Sequence, residues 1–147
     1  LPGCQVHSQF RLRDMMRYLP EANPRGRQAP TPRPDIVIRQ GGTTVAMLDT
    51  KYRDLWNKPL PRDMLYQLAI YALSRDQVRE ATILYPSTGG AQRDQVIEIR
   101  EPTFGSQRAR VILRAVDLPR LAAAIEKRGI YGERSRHEMA AQLALSA

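Results

Sequence analysis

The sequence has little of what several common kinds of site require. A single cysteine, Cys4, excludes a disulfide framework and also a four-cysteine zinc or iron–sulfur site. No apolar run approaches the length of a membrane span, and no signal peptide is recognisable at the start. We therefore expect a cytoplasmic protein.

Acidic residues are also in deficit. The 147 residues contain 15 Asp and Glu against 23 Lys and Arg, which gives a formal charge of +8, and Arg far outnumbers Lys. This balance favours a polyanionic partner, because the guanidinium group matches phosphate geometry, although a merely solvated basic surface has the same composition. With 42% hydrophobic residues, the composition predicts one domain over 1–147. Because the chain begins with Leu and its first residues already resemble a structural element, we expect a fragment of a longer chain.

One stretch of the chain, residues 33 to 51, carries a strong local pattern. Two apolar, β-branched runs, Ile36 to Ile38 and Val45 to Leu48, flank the pair Gly41-Gly42. Such runs around a glycine pair predict a β-hairpin.

The charged residues of this hairpin stand at the ends of its strands. Asp35 opens the first strand, whereas Asp49 and Lys51 end the second, two residues apart and so on one face, with Thr50 pointing the other way. Burying two carboxylates and an ammonium unpaired would be costly, and a divalent cation relieves that cost. Hard oxygen ligands suit Mg²⁺, so we predict a metal site of Asp35, Asp49 and the Thr50 carbonyl. Lys51 would orient a metal-bound water or neutralise charge on a phosphate.

Pro34-Asp35 and Asp49-Thr50-Lys51 resemble the Pro-Asp…(Asp/Glu)-x-Lys signature of the PD-(D/E)XK nuclease superfamily. The resemblance implies an α/β fold with a restriction-endonuclease-like PD-(D/E)XK core, which is a mixed central β-sheet flanked by helices. It also implies metal-dependent phosphodiester hydrolysis. The sequence contains no Ser-His or Cys-His constellation, which agrees with a reaction that needs no covalent nucleophile.

A helix predicted from Pro61 to Arg75 follows the hairpin. Its wide apolar arc, which includes Tyr66 and Leu73, predicts that it is largely buried. Gln67 and Tyr71 are neighbours at i, i+4, and the pair resembles the Gln-x-x-x-Tyr helix of several branches of the superfamily. This resemblance implies that Gln67 is a supporting group in catalysis.

The remaining patterns predict the rest of a single domain, with its core over 4–86 and additional strands and helices over 95–145. The predicted elements are an extended strand or arm from Val6 to Met16, a proline- and arginine-rich loop from Leu19 to Arg33, strands at Ala81 to Tyr85, Val96 to Ile99 and Arg108 to Val116, a helix capped by Asp117, and a helix from Glu133 to Leu145. The strand ending at Tyr85 should be parallel to its predecessor, because a crossover helix joins them. Two arginine groups are candidate DNA contacts. Arg108, Arg110 and Arg114 share one face of the strand from Arg108 to Val116, which is either solvated or DNA-facing. Arg25, Arg27 and Arg33 lie in the loop, which can equally be a solvated loop with no such role.

Within the superfamily, the run from Arg33 to Pro86 is most similar to the McrC-type nuclease subunit of the 5-methylcytosine-specific restriction system. The similarity lies in Arg-Pro-Asp-Ile-Val-Ile, Leu-Asp-Thr-Lys-Tyr, the helix from Tyr66-Gln67 to Tyr71-Ala72-Leu73, and Ile-Leu-Tyr-Pro. It implies a DNA endonuclease that uses Mg²⁺, with Mn²⁺ able to substitute, and that works with a GTP-driven AAA+ motor of the McrB type. A non-catalytic, basic nucleic-acid-binding domain with the same fold is the alternative, as is a nuclease acting on RNA or branched DNA.

Overall fold

The computed structural model describes residues 3–75, 78–90 and 92–145 of the chain. Its elements are strands β1 (Cys4–Ser8), β2 (Ile36–Gln40) and β3 (Thr43–Thr50), helix α1 (Arg62–Leu73), strands β4 (Glu80–Ser87), β5 (Gln95–Arg100) and β6 (Gln107–Asp117), and helices α2 (Leu118–Glu126) and α3 (Gly129–Ala144), with a short 3-10 turn at Pro20–Ala22. None of the helices in these ranges has the length and apolar character needed to cross a membrane.

Six strands form one mixed sheet in the order β1-β2-β3-β4-β6-β5. The pairs β1/β2, β2/β3 and β5/β6 are antiparallel, whereas β3/β4 and β4/β6 are parallel. Helix α1 is the crossover that makes β4 parallel to β3, as the sequence predicted. The predicted mixed α/β fold, a central sheet flanked by helices, is confirmed.

The predicted hairpin is confirmed as β2 and β3. Its turn lies at Gly41 and Gly42, whose φ angles are +56° and +83°. Two consecutive residues at positive φ suit a tight turn between antiparallel strands, and glycine adopts that conformation without steric cost. The apolar pattern then fixes the register, in which Val37 pairs with Met47.

The sheet buries a different apolar cluster on each face. The larger one joins β2, β3, β4 and β6 to α1 and includes Val37, Met47, Leu68, Tyr71 and Ile83. The smaller one joins the other face to the end of α3 through Ile38, Ala46, Leu48 and Ala144. The face that contacts α1, called the α1 face below, carries the residues discussed next.

Four predicted boundaries or burials differ from the structure. The first strand ends at Ser8 rather than continuing to Met16, because Gln9 has a φ of +52° and turns the chain away from the sheet. Pro86 lies inside β4 instead of closing it. Helix α1 is less buried than predicted, with Tyr66 60% and Leu73 49% exposed. The last helix begins at Gly129, one turn before the predicted Glu133.

The prediction that the arginine face of β6 is solvated or faces DNA is wrong at Arg114. Arg114 is buried, and its guanidinium bonds to Asp94 and to the backbone carbonyls of Gln142 and Leu143. Helix α3 covers this part of the strand, which a strand pattern alone does not reveal. The predicted capping of α2 is confirmed, since the Asp117 side chain accepts a hydrogen bond from the Arg120 N–H.

Candidate active site

The hairpin register places the two predicted metal ligands opposite each other. Ile36 pairs with Leu48, so one further step of the antiparallel register sets Asp35 against Asp49. Directly opposed residues of such a pair have Cβ atoms about 5 Å apart. Because side chains alternate between faces, both aspartates share the α1 face with Val37 and Met47. The charges of the two carboxylates act on each other, as the pKa of Asp49 shows below.

Lys51 forms an ion pair with Asp49. The distance from Nζ to Oδ2 is 2.6 Å, and the side chains are 26% and 3% exposed respectively. The predicted spacing of two residues thus puts both groups on one face. Strand β4 fixes the backbone just beyond β3, because the Lys51 N–H donates to the Leu84 carbonyl at 2.9 Å. The ammonium is therefore held at the rim of the site with its open side toward solvent.

Hydrogen bonds hold the Asp35 carboxylate from two directions. Its Oδ2 accepts from the Thr50 backbone N–H at 2.9 Å and from the Thr50 hydroxyl at 2.8 Å. Its Oδ1 accepts from the Gln9 side-chain amide at 2.7 Å. Thr50 therefore reaches Asp35 by its side chain, which corrects the expectation that it points away from the site. The role of the Thr50 carbonyl as a metal ligand stays a prediction.

The three charged groups have shifted pKa values. Burial raises the pKa of Asp49, the hydrogen bond from Lys51 opposes the rise, and the charge of Asp35 adds to it. Burial would raise the pKa of Asp35 too, but the bonds from Thr50 and Gln9 outweigh it and lower the pKa. The pKa of Lys51 is raised, because contact with Asp49 outweighs partial burial. Two carboxylates thus share one ammonium, which leaves a surplus of negative charge.

Helix α1 lines the site with Tyr71 and Gln67. The Gln67 amide donates to the Tyr71 hydroxyl at 2.6 Å, and Tyr71 is 1% exposed. Burial raises the pKa of Tyr71, the bond from Gln67 opposes this, and the nearby charge of Asp49 adds to the rise. Within the part of the chain that the structure describes, no hydrogen bond joins Gln67 to Asp35, Asp49 or Lys51. Gln67 therefore contacts Tyr71, and Tyr71 in turn is near enough to the carboxylates for their charges to act on it.

The donor set fits a magnesium ion better than a metal held wholly by the protein. The described residues contain no group of three or more His, Cys, Asp or Glu side chains placed to hold a metal. A closed zinc site needs four such ligands. Mg²⁺, by contrast, keeps several waters and commonly uses only one or two carboxylates together with substrate phosphates. Asp35 and Asp49 supply two carboxylates, and the single ammonium of Lys51 balances only one of their two negative charges.

Two residues of this site were not among those chosen from the sequence. Gln9 stands 26 positions before Asp35, and the proline-rich segment between them gives no pattern from which the contact could be inferred. Tyr71 carried a signal in its i, i+4 spacing from Gln67, but that spacing also fits an ordinary core helix.

Comparisons with known proteins add one structural similarity. No protein-family model matches the sequence, and no curated protein matches it. A chain in the refined half-complex from the tetradecameric assembly of Thermococcus gammatolerans McrB AAA+ hexamers with bound McrC is similar over 93% of the present chain, with 18% identity and a TM-score of 0.48. The present chain spans 28% of the length of that chain. At this identity and TM-score the similarity carries no inference about activity.

Proposed function

We propose that this protein is a Mg²⁺-dependent DNA endonuclease in which Asp35 and Asp49 bind the metal and Lys51 positions the attacking water. The observation that carries the proposal is the meeting of these three groups at one end of β3. The two aspartates lie opposite each other, and the Lys51 ammonium lies 2.6 Å from Asp49. Hard oxygen ligands for a divalent cation, with an ammonium beside them, suit hydrolysis by a metal-activated water without a covalent nucleophile.

Each residue has a separate task in this scheme. Mg²⁺ would supply a lowered pKa for water and positive charge against the phosphoryl oxygens. Asp49 and Asp35 would supply carboxylate oxygens to the metal. The Asp35 carboxylate is fixed in position by hydrogen bonds from Thr50 and Gln9. Lys51 offers ammonium hydrogens to the incoming water and to the phosphate charge that grows in the transition state. Gln67 and Tyr71 support the site from α1 by packing and by their mutual hydrogen bond.

The biological setting is a further part of the proposal. The sequence resemblance to McrC-type subunits, which covers the hairpin, α1 and β4, supports a role as the cutting subunit of a 5-methylcytosine-specific restriction system. In that role a GTP-driven AAA+ partner of the McrB type would bring the nuclease to DNA and choose the site. The basic charge of +8 agrees with binding to the DNA backbone rather than to a particular base sequence.

The experiment compares Asp49→Asn with Asp63→Asn on supercoiled DNA in Mg²⁺. Both changes remove one aspartate charge, but Asp63 is exposed in the first turn of α1. We expect Asp49→Asn to lose cleavage by at least about a thousandfold, which corresponds to about 4 kcal/mol of barrier, and Asp63→Asn to retain it. The assay is run with the chain alone and with the AAA+ partner and GTP. Wild-type cleavage by Asp49→Asn would refute the metal assignment.

A non-catalytic binding domain gives a different result in the same assay. Such a protein would bind DNA and show no Mg²⁺-dependent cleavage in any variant or with any partner. The presence together of Asp35, Asp49 and Lys51 argues against it, because a domain without catalysis has no need to bury the Asp49 carboxylate beside a second, half-buried one.

A further inference from the structure

The segment between β1 and β2 carries much of the positive charge of the chain. Residues 9–33 contain six arginines and two acidic residues, so this segment supplies half of the formal charge of +8. The arginines are Arg11, Arg13, Arg17, Arg25, Arg27 and Arg33. A concentration of guanidinium groups in a single segment is the kind of surface that attracts phosphate.

Four of these arginines surround one surface cavity. The cavity has a volume of about 420 Å³, and its lining includes Arg11, Arg13, Arg17 and Arg27. We call it the arginine pocket. The ion pairs within the described ranges involve Lys51, Arg110, Arg114 and Arg134, and none of them involves an arginine of the pocket. Asp14 is the single acidic residue in the described lining.

The pocket is built by a folded segment rather than by a flexible tail. Asn23 binds Arg27 twice, because its side-chain amide donates to the Arg27 carbonyl and its Oδ1 accepts from the Arg27 N–H, both at 2.9 Å. The Gly26 N–H also donates to the Asn23 carbonyl at 3.0 Å. Prolines at four positions of the segment restrict its backbone further. The backbone that carries these arginines is therefore ordered before a ligand binds, so binding has to order their side chains only.

Hydrogen bonds tie both ends of the segment to the candidate active site. Gln9 contacts Asp35 through its side chain and through its backbone N–H, and its carbonyl accepts from the Arg33 guanidinium at 3.0 Å. The Leu12 N–H donates to the Pro32 carbonyl at 2.9 Å. Arg11 and Arg13 follow Gln9 by two and four residues. A fully extended chain would place their Cα atoms at most about 7 and 14 Å from the Gln9 Cα atom. These distances equal about two to four base pairs along a duplex, at roughly 3.4 Å each.

We propose that the arginine pocket binds backbone phosphates of the DNA strand beside the cleavage site. The proposal rests on the proposed nuclease function for the identity of its ligand. The pocket would anchor DNA on the same side of the molecule as Asp35. Phosphodiester groups fit the pocket because each guanidinium can hold two phosphate oxygens at once, and because the tie through Gln9 places them a few nucleotides from the carboxylates.

The test is a salt series of DNA binding without metal, so that no cleavage occurs. Arg11, Arg13, Arg17 and Arg27 are replaced together by Ser in the full chain. The matched control replaces Arg108, Arg120, Arg128 and Arg134, which are also exposed but lie on β6, on α2, just before α3 and on α3 respectively. Fluorescence anisotropy gives the slope of log affinity against log salt. Each lost phosphate contact should lower the slope by about 0.9, so we expect a fall of up to about 3.6 for the four arginines of the pocket variant and less than about 1 for the control.

Two further arms make the result decisive. Replacing the same four arginines by Lys keeps the charge and loses the bidentate geometry, so the slope should stay near that of the wild type while affinity falls severalfold. Pyrophosphate is titrated as a competitor, because a site for free phosphate has the same chemistry. Equal slopes for the pocket and control variants would overturn the proposal. So would pyrophosphate binding that depends on the pocket while DNA binding does not.

These outcomes are independent of the nuclease proposal. A protein that binds DNA through the pocket but never cleaves in Mg²⁺ would refute the nuclease assignment and leave the pocket in place. A protein that cleaves in Mg²⁺ but has an unchanged slope in the pocket variant would refute the pocket alone.

Discussion

Two ion pairs on opposite faces of the sheet bury different partners. In the pair Asp49 and Lys51, the acid is 3% exposed and the base 26% exposed, with 2.6 Å between them. In the pair Arg114 and Asp94, the base is 9% exposed and the acid 34% exposed, with 2.7 Å between them. The distances are nearly equal, so distance does not distinguish the pair of Asp49 and Lys51, which we propose to act in catalysis, from the pair of Arg114 and Asp94.

The surroundings of the two pairs differ in their balance of charge. Arg114 also donates to the carbonyls of Gln142 and Leu143 at the end of α3. Its positive charge is therefore balanced by one carboxylate and two carbonyl oxygens. Asp49, by contrast, has the carboxylate of Asp35 beside it, and the two acids share one lysine. A buried pair whose groups are all satisfied holds elements together, whereas a pair with surplus charge can bind another ion.

Removing Lys51 should cause a large loss of activity, of the same order as that expected for Asp49→Asn. We expect Lys51→Ala to lower the single-turnover cleavage rate by about a thousandfold, or about 4 kcal/mol, because the ammonium assists the growing phosphate charge. Metal affinity should stay the same or rise, since the change frees Asp49 of a competing cation. Cleavage kinetics and calorimetric titration with Mn²⁺ measure the two effects. Lys58→Ala, in the exposed loop after β3, is the control. Equal losses of rate and metal affinity would contradict the role.

Removing Arg114 should change stability instead. Arg114→Ala leaves Asp94 unpaired and the carbonyls of Gln142 and Leu143 without their donor, so we expect a loss of about 2 to 4 kcal/mol in the free energy of unfolding. Arg134→Ala breaks an exposed pair with Glu138 and should cost at most about 0.5 kcal/mol. Urea denaturation gives both values. A stable Arg114→Ala protein with a reduced salt slope for DNA binding would restore the DNA-facing interpretation of this strand face.

The hairpin and its charged ends could be predicted because their information is local. Alternation of apolar residues fixes which side chains share a face, and the glycine pair fixes the turn, so Asp35 and Asp49 follow from the register. The crossover to β4 follows from the helix between two buried strands. The positions of these residues were therefore accessible from the sequence, and their roles in catalysis remain predictions.

The contacts that were missed connect residues far apart in the chain. Arg114 reads as one of three arginines on a strand face, and nothing in β6 shows that residues 142 and 143 cover it. Gln9 lies in the stretch where the pattern predicted a strand continuing up to Met16, but the strand ends at Ser8. Tertiary packing decides both cases, and a pattern within one element does not report it.

Gln9 sharpens the comparison, because it orients Asp35, the carboxylate that lies beside the pair of Asp49 and Lys51. We expect Gln9→Ala and Gln9→Gly both to lower cleavage by about tenfold, or about 1.4 kcal/mol, since each removes the amide that binds Asp35 Oδ1. Their stabilities should differ, because φ at this position is +52° and glycine adopts that conformation more readily than alanine. Cleavage rates with Mn²⁺ affinity, and thermal unfolding, separate the two effects. Full activity in Gln9→Gly would show that only the backbone turn matters.

The smallest expected effect concerns Gln67 and Tyr71. If Gln67 acts through the Tyr71 hydroxyl, to which it donates at 2.6 Å, then Gln67→Ala, Tyr71→Phe and the double variant should all lower cleavage by a similar factor, about threefold. The coupling energy of such a double-mutant cycle would be about 0.6 kcal/mol, in the range found for residues that share one hydrogen bond. Phe preserves the buried ring of Tyr71, so the packing of the core should change little in Tyr71→Phe. Multiplicative losses in the double variant would instead show that Gln67 acts on the substrate independently of Tyr71, and would place it directly with Asp49 and Lys51 among the groups that contact the reacting phosphate.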